Sequence, residues 1–121
     1  GLDGAKIGYQ HAINLAGFRR VRLAAGIDLS PENLAAWQEK FGIDRGYLDF
    51  DEALRDLQPD TLCIATYVGL HYPMIEKAAR AGVRGILCEK PFLNSPAEIL
   101  RLRALIRETG VKIVVNHMRR Y

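Results

Sequence analysis

A chain of 121 residues has the length of one domain and can bury about two-thirds of its unfolded surface, so a real core is available to it. With 49% hydrophobic and 26% charged residues, its composition excludes disorder, and no apolar run approaches the ~18–20 residues of a membrane span. The formal charge of +3 suits a small polyanionic ligand and calls for no nucleic acid.

The chain opens with glycines at 1, 4 and 8. A helix is expected from Tyr9 to about Ala16, with Gly17 ending it. A glycine loop opening into a helix lets backbone N–H groups approach a pyrophosphate, at the helix end that favours negative charge. The usual fingerprint is G-x-G-x-x-G just after a strand. Here each gap is one residue longer and no strand precedes, so a plain glycine-rich N-terminal tail is the competing reading.

Residues 21–28 read as a buried strand ending in an acid. Asp28 lies 20 residues after Gly8, close to the interval for a carboxylate that holds an adenosine ribose. Such a carboxylate accepts both ribose hydroxyls and repels a 2′-phosphate, which favours NAD over NADP. Ser30 and Pro31 supply the cap and first position of the next helix, leaving Asp28 available. That helix runs to Phe41, with Leu34, Ala35, Trp37 and Phe41 as inward candidates and Gly42 as its stop. A short strand is expected near 46–48, and Asp49-Phe50-Asp51-Glu52 reads as a capping box for a helix to Leu57.

Residues 61–66 form the next predicted buried strand, and a loop through Tyr67 and Val68 leads to a helix from His71 to about Ala81. Residues 83–88 follow as a strand closed by Glu89-Lys90-Pro91. Ligands of open α/β sheets bind beyond the carboxyl ends of the strands, so a lysine there is placed for chemistry; a surface Glu-Lys pair before a loop proline is the plainer alternative. Ser95-Pro96-Ala97-Glu98 is a second capping box, for a helix to Thr109 with Ile99, Leu102, Leu105 and Ile106 on one face. The last predicted strand covers 111–115. Cys63 and Cys88 fall inside apolar runs at a spacing that fits no zinc or redox motif. They read as core thiols of a reducing compartment, and a cytoplasmic protein is expected. Three histidines without Cys or carboxylates at ligand spacing predict no metal site.

Strands alternate with helices throughout. The expected fold is α/β, a Rossmann-like doubly wound parallel sheet covered by helices. The pattern resembles the nucleotide-binding half of the Gfo/Idh/MocA oxidoreductases, the glucose–fructose oxidoreductase and inositol dehydrogenase family. The resemblance covers nearly the whole chain. It rests on Glu89-Lys90-Pro91, the Gly8-x-x-His11 helix start, Asp28, Ile64-Ala65-Thr66 with His71 five residues on, and Asn116 before the terminal arginines.

By that resemblance, Gly1, Gly4 and Gly8 frame the pyrophosphate loop and Asp28 holds the adenosine ribose. Thr66 and the loop to His71 line the nicotinamide side, and Glu89 lies near the nicotinamide ribose. Lys90 contacts substrate and assists proton transfer from the hydroxyl being oxidised. Pro91 is expected to follow a cis bond. The implied protein is an NAD-dependent dehydrogenase of a sugar, polyol or related carbinol, a homo-oligomer with no nucleic-acid or membrane partner. Tyr67 and Val68 depart from the proline and asparagine usual in the family. Relative to it, residues 1–121 lack the first strand and the C-terminal α/β domain that carries substrate contacts and the catalytic Asp and His. The chain alone is therefore expected to be inactive, and the slot between the second and fourth family strands is expected to collapse, to be filled by another segment, or to leave the chain unable to fold well alone. Two rival readings are a dinucleotide-binding sensor without turnover and a generic doubly wound domain for another small ligand.

Overall fold

A computed structural model describes residues 11–13, 15 and 17–116. The chain divides into two compact units that meet after Gln58, and each is described by itself.

In the first unit, His11, Ala12, Ile13 and Leu15 are helical, and His11 and Ala12 are buried. The elements that follow are β1 (Gly26–Ile27), α1 (Pro31–Phe41), β2 (Gly46–Tyr47) and α2 (Phe50–Leu57). β1 and β2 pair in parallel, Gly26 with Gly46 and Ile27 with Tyr47. The ladder extends through Gly26 N–H donating to Arg45 O and Asp28 N–H donating to Tyr47 O. The strand expected over 21–28 is thus confined to its last residues. β2 is only two residues long and offers 21–25 no ladder, and Val21 is 40% exposed where burial was expected.

The caps form as their residue types dictate. Ser30 Oγ accepts from Asn33 N–H, Pro31 opens α1, and Gly42 closes it at φ 63°, a left-handed conformation that glycine adopts without strain. Asp49 Oδ1 accepts from Glu52 N–H at the start of α2. Gly26 is required by packing. A Cβ there would lie 2.6 Å from Trp37 Cε3, so the missing side chain lets α1 approach β1. Trp37 stacks obliquely on Phe41, centroids 5.2 Å apart, as a packing residue. Leu34 is buried, whereas Ala35, expected inward, is exposed.

The second unit holds β3 (Thr61–Ile64), a 3-10 turn (Val68–Leu70), α3 (His71–Arg80), β4 (Gly85–Glu89), α4 (Pro96–Thr109) and β5 (Lys112–Asn116). The strands are parallel in the order β3-β4-β5, with Ile64 opposite Cys88, Cys88 opposite Val115, and Glu89 opposite Asn116. Ile64, Ile86 and Cys88 on the sheet and Ile75, Ala78, Leu102 and Leu105 on the helices form its core. α3 packs on α4 and on β3. Ser95 Oγ accepts from Glu98 N–H, while the Glu98 carboxylate accepts from Asn94 N–H, one residue before the position a simple capping box uses. Two expected inward residues of α4, Ile99 and Ile106, are exposed at 51% and 39%. Leu102 and Leu105 alone fill the contact stripe. Val114, at 63% exposed, shows that the β5 edge is not covered on both faces as the apolar run had implied. Among the described residues no helix is long and apolar enough to cross a membrane.

The two thiols lie on neighbouring strands of this sheet. Burial pushes Cys88 up to about 12, helped by Cys63 and Glu89, and pushes Cys63 up to about 11, helped by Glu89. Both are protonated and inert near neutrality. Iodoacetamide at pH 7.5 (about one unit below the ordinary thiol range) is expected to label neither thiol in folded protein and both after denaturation. In the window from about 9 to about 11–12 the unfolded chain loses thiol protons that the folded chain keeps. Stability therefore falls as pH rises through that window, and less steeply in C63A/C88A. Denaturant titrations of the two proteins across those pH values measure the difference.

Candidate functional site

The carboxyl edge of the β3-β4-β5 sheet gathers Thr66, His71, Glu89 and Lys90, half of the site residues singled out from the sequence. β4 ends on Glu89, β5 ends on Asn116, and these two residues are register partners. Glu89 is 3% exposed, and burying a carboxylate is costly unless it is hydrogen-bonded. Asn116 Nδ2 donates to Glu89 Oε1 at 2.7 Å, which fixes the carboxylate at the strand end. Asn116 is thus a member of the site, holding Glu89. Two polar residues that each close a strand were visible in the sequence, but the register that pairs them was not.

Lys90 follows Glu89, is exposed, and is joined to Pro91 by a cis peptide bond. Thr66 leaves the end of β3. Its hydroxyl is exposed and lies 3.5 Å from Tyr67 O and 3.6 Å from Met74 Sδ. Tyr67 is 68% exposed. His71, the first residue of α3, is 0% exposed. Its Nε2 lies 2.9 Å from Thr66 O and its Nδ1 2.9 Å from Phe92 O, so its ring faces backbone within the protein. Phe92 was not singled out from the sequence, because what it contributes is a carbonyl and no side-chain pattern announces that.

Asp28 lies at the carboxyl end of β1 in the other unit. It is not wholly free, as the sequence had suggested. Its Oδ1 accepts from Ser30 N–H at 2.8 Å, an Asx turn that orients the carboxylate. Among the described residues its second oxygen meets no hydrogen-bond donor, and the part-exposed side chain can offer it to an outside donor. Ser30 does supply the helix cap, and its hydroxyl also donates to Glu32. Gly1, Gly4 and Gly8 lie outside the described residues. Among the described residues, no group of three or more His, Cys, Asp or Glu could hold a metal ion.

A shallow cleft of about 280 Å³, with Arg84, Thr109 and Lys112 in its wall, lies at the other end of the second unit's sheet, by the amino ends of β4 and β5. It carries none of the chemistry described above. The carboxyl edge combines a fixed buried carboxylate, an exposed lysine and an exposed hydroxyl. These are groups that can accept from ligand hydroxyls and move a proton.

The family described as "Oxidoreductase family, NAD-binding Rossmann fold" (Gfo/Idh/MocA) matches residues 1–117. Inositol 2-dehydrogenase of Rhizobium meliloti (strain 1021) is 33% identical over 122 aligned positions, covering 100% of this chain and 36% of that protein. scyllo-Inositol 2-dehydrogenase (NAD(+)) of Bacillus subtilis (strain 168) is 33% identical, covering 99% of this chain and 35% of that protein. The crystal structure of scyllo-inositol dehydrogenase from Lactobacillus casei, with bound NAD(H) and scyllo-inositol, superposes with a TM-score of 0.85. It is 27% identical over 94% of this chain and 34% of that one. The chain thus spans about a third of the length of these relatives.

Proposed function

We propose, since the chain belongs to the Gfo/Idh/MocA oxidoreductase family and forms its NAD-binding Rossmann domain, that the whole protein is an NAD-dependent dehydrogenase of a polyol or sugar, with inositols the first class to test. The observation that carries this reading is an exposed Lys90 directly beyond the end of β4, following Glu89, whose carboxylate is held by Asn116. The dehydrogenase names of the relatives support it, and they do not favour the sensor without turnover.

Bound NAD supplies the hydride acceptor at nicotinamide C4. The residues of this chain bind, orient and move a proton. Gly1, Gly4 and Gly8 are assigned to the pyrophosphate, which glycines let backbone N–H groups approach. Asp28 fits an adenosine ribose: one carboxylate oxygen is held by Ser30 N–H, and the other is left to accept a ribose hydroxyl. Its charge repels a 2′-phosphate, so NAD is preferred to NADP. Thr66 and the loop ending at His71 line the nicotinamide side, and Glu89 accepts from the nicotinamide ribose. Lys90 Nζ, in its neutral amine form, accepts the hydroxyl proton of the carbinol as its carbon is oxidised, and becomes the ammonium. A further domain of the whole protein supplies most substrate contacts, so residues 1–121 alone turn over nothing. The protein acts in the cytoplasm as a homo-oligomer, without a nucleic-acid or membrane partner.

The test is NAD+ reduction by the whole protein with a panel of inositols, aldoses and acyclic polyols. Saturable turnover with at least one is expected. A protein that binds NADH yet reduces NAD+ with none of them contradicts the dehydrogenase reading and revives the sensor.

A further inference from the structure

We propose that His71 is a positioning residue for Lys90, a clamp that ties together the two loops leaving β3 and β4. Its ring is fully buried, with one nitrogen 2.9 Å from the carbonyl of Thr66 and the other 2.9 Å from the carbonyl of Phe92. The first carbonyl belongs to the loop after β3. The second lies two residues beyond Lys90. Carbonyls only accept, so the ring nitrogen that carries the proton donates to one loop, and a doubly protonated ring donates to both. A ring protonated on both nitrogens is hydrogen-bonded to both loops and sets the distance between them; with one proton it bonds to one loop only.

Lys90 has need of such a device. Its side chain is exposed and long, so what fixes its reach is the placement of its backbone. The sequence neighbours of His71 argue the same way. α3 has no side-chain cap at Leu70, and its first residue instead spends both polar atoms on the adjacent loops. A histidine kept only to fill the core would be replaceable by an apolar ring of similar size. A clamp would not, because the N–H is the part that works.

This inference rests on the proposed role of Lys90 in proton transfer. The experiment compares wild type, H71F, H71Q and K90M in the whole protein. It reads kcat per NADH-binding site, the Kd for NADH and the thermal midpoint. In H71F, kcat per site at saturating NAD+ is expected to fall about 100-fold, the loss that follows from displacing a reacting group by about 1 Å. H71Q keeps a side-chain N–H and is expected to regain at least about tenfold of that loss. Wild-type kcat per site in H71F, whatever its thermal midpoint, overturns the inference. If H71F yields no folded protein, H71M, which is flexible and has no N–H, is read by the same criteria. K90M inactive with H71F unimpaired overturns the inference alone; K90M at wild-type kcat overturns the Lys90 reading and the inference with it.

Discussion

Replacing Lys90 with methionine in the whole protein is expected to lower kcat by about 10²–10⁴-fold, the range general acid–base groups supply. NADH binding should stay close to wild type. Methionine matches the length and removes both the charge and the proton. Lys90 is exposed, so the change costs the fold little. K90R separates two ways in which a lysine could act. Arginine keeps the positive charge but does not deprotonate in proteins. If Lys90 moves a proton, K90R falls with K90M; if it only attracts an oxygen's developing charge, K90R stays near wild type. Steady-state kinetics with saturating NAD+ and the best polyol decides between them, and equal, unimpaired kcat in all three proteins contradicts the role assigned to Lys90.

The second large effect concerns Asp28. Hydrogen bonds to a charged group contribute about 1.5–3 kcal/mol, so D28A is expected to weaken NADH binding by about 10- to 150-fold. NADPH loses no such bond and is relieved of a repulsion, so the preference for NADH over NADPH shrinks by at least as much. Asp28 also accepts from Ser30 N–H, and D28A removes that turn contact too. D28N keeps an oxygen for Ser30 and removes only the charge. If ribose binding and phosphate repulsion are the role, D28N loses most of the discrimination against NADPH. If the turn alone matters, D28N matches wild type. Fluorescence titrations with both cofactors measure the ratio directly.

What could be read from the sequence was what is encoded locally. Ser30-Pro31, Asp49 and Ser95-Pro96 marked three helix starts, and Gly42 and Gly110 marked two stops, because caps satisfy backbone groups within a few residues. The apolar runs at 61–66, 83–88 and 111–115 each contain a strand, displaced by a residue or two at the ends. Non-local features were hidden. A strand is defined by its neighbour, and residues 21–25 have the composition of one without the ladder. Burial of a helix face depends on what lies opposite, so Ile99 and Ile106 look like Leu102 and Leu105 in sequence and differ in exposure.

The site divides along the same line. Glu89-Lys90-Pro91 was visible as a motif at a strand end. The Asn116 bond to Glu89 depends on strand register, and the two contacts of His71 join positions 66, 71 and 92 through space. The sequence did mark His71, through its spacing from Thr66, but not what its ring touches. Asp28 shows the opposite limit. Its interval from Gly8 singled it out, yet its own turn with Ser30 is a local contact that the cap assignment obscured.

The most direct test of the account is a titration of the whole protein with NADH and, in parallel, NADPH, followed by nicotinamide fluorescence. Saturable binding with NADH preferred is the predicted result, and it would place both the dinucleotide and the Asp28 carboxylate in the roles assigned to them. A folded protein that binds neither cofactor, or that prefers NADPH, would contradict the account at its centre.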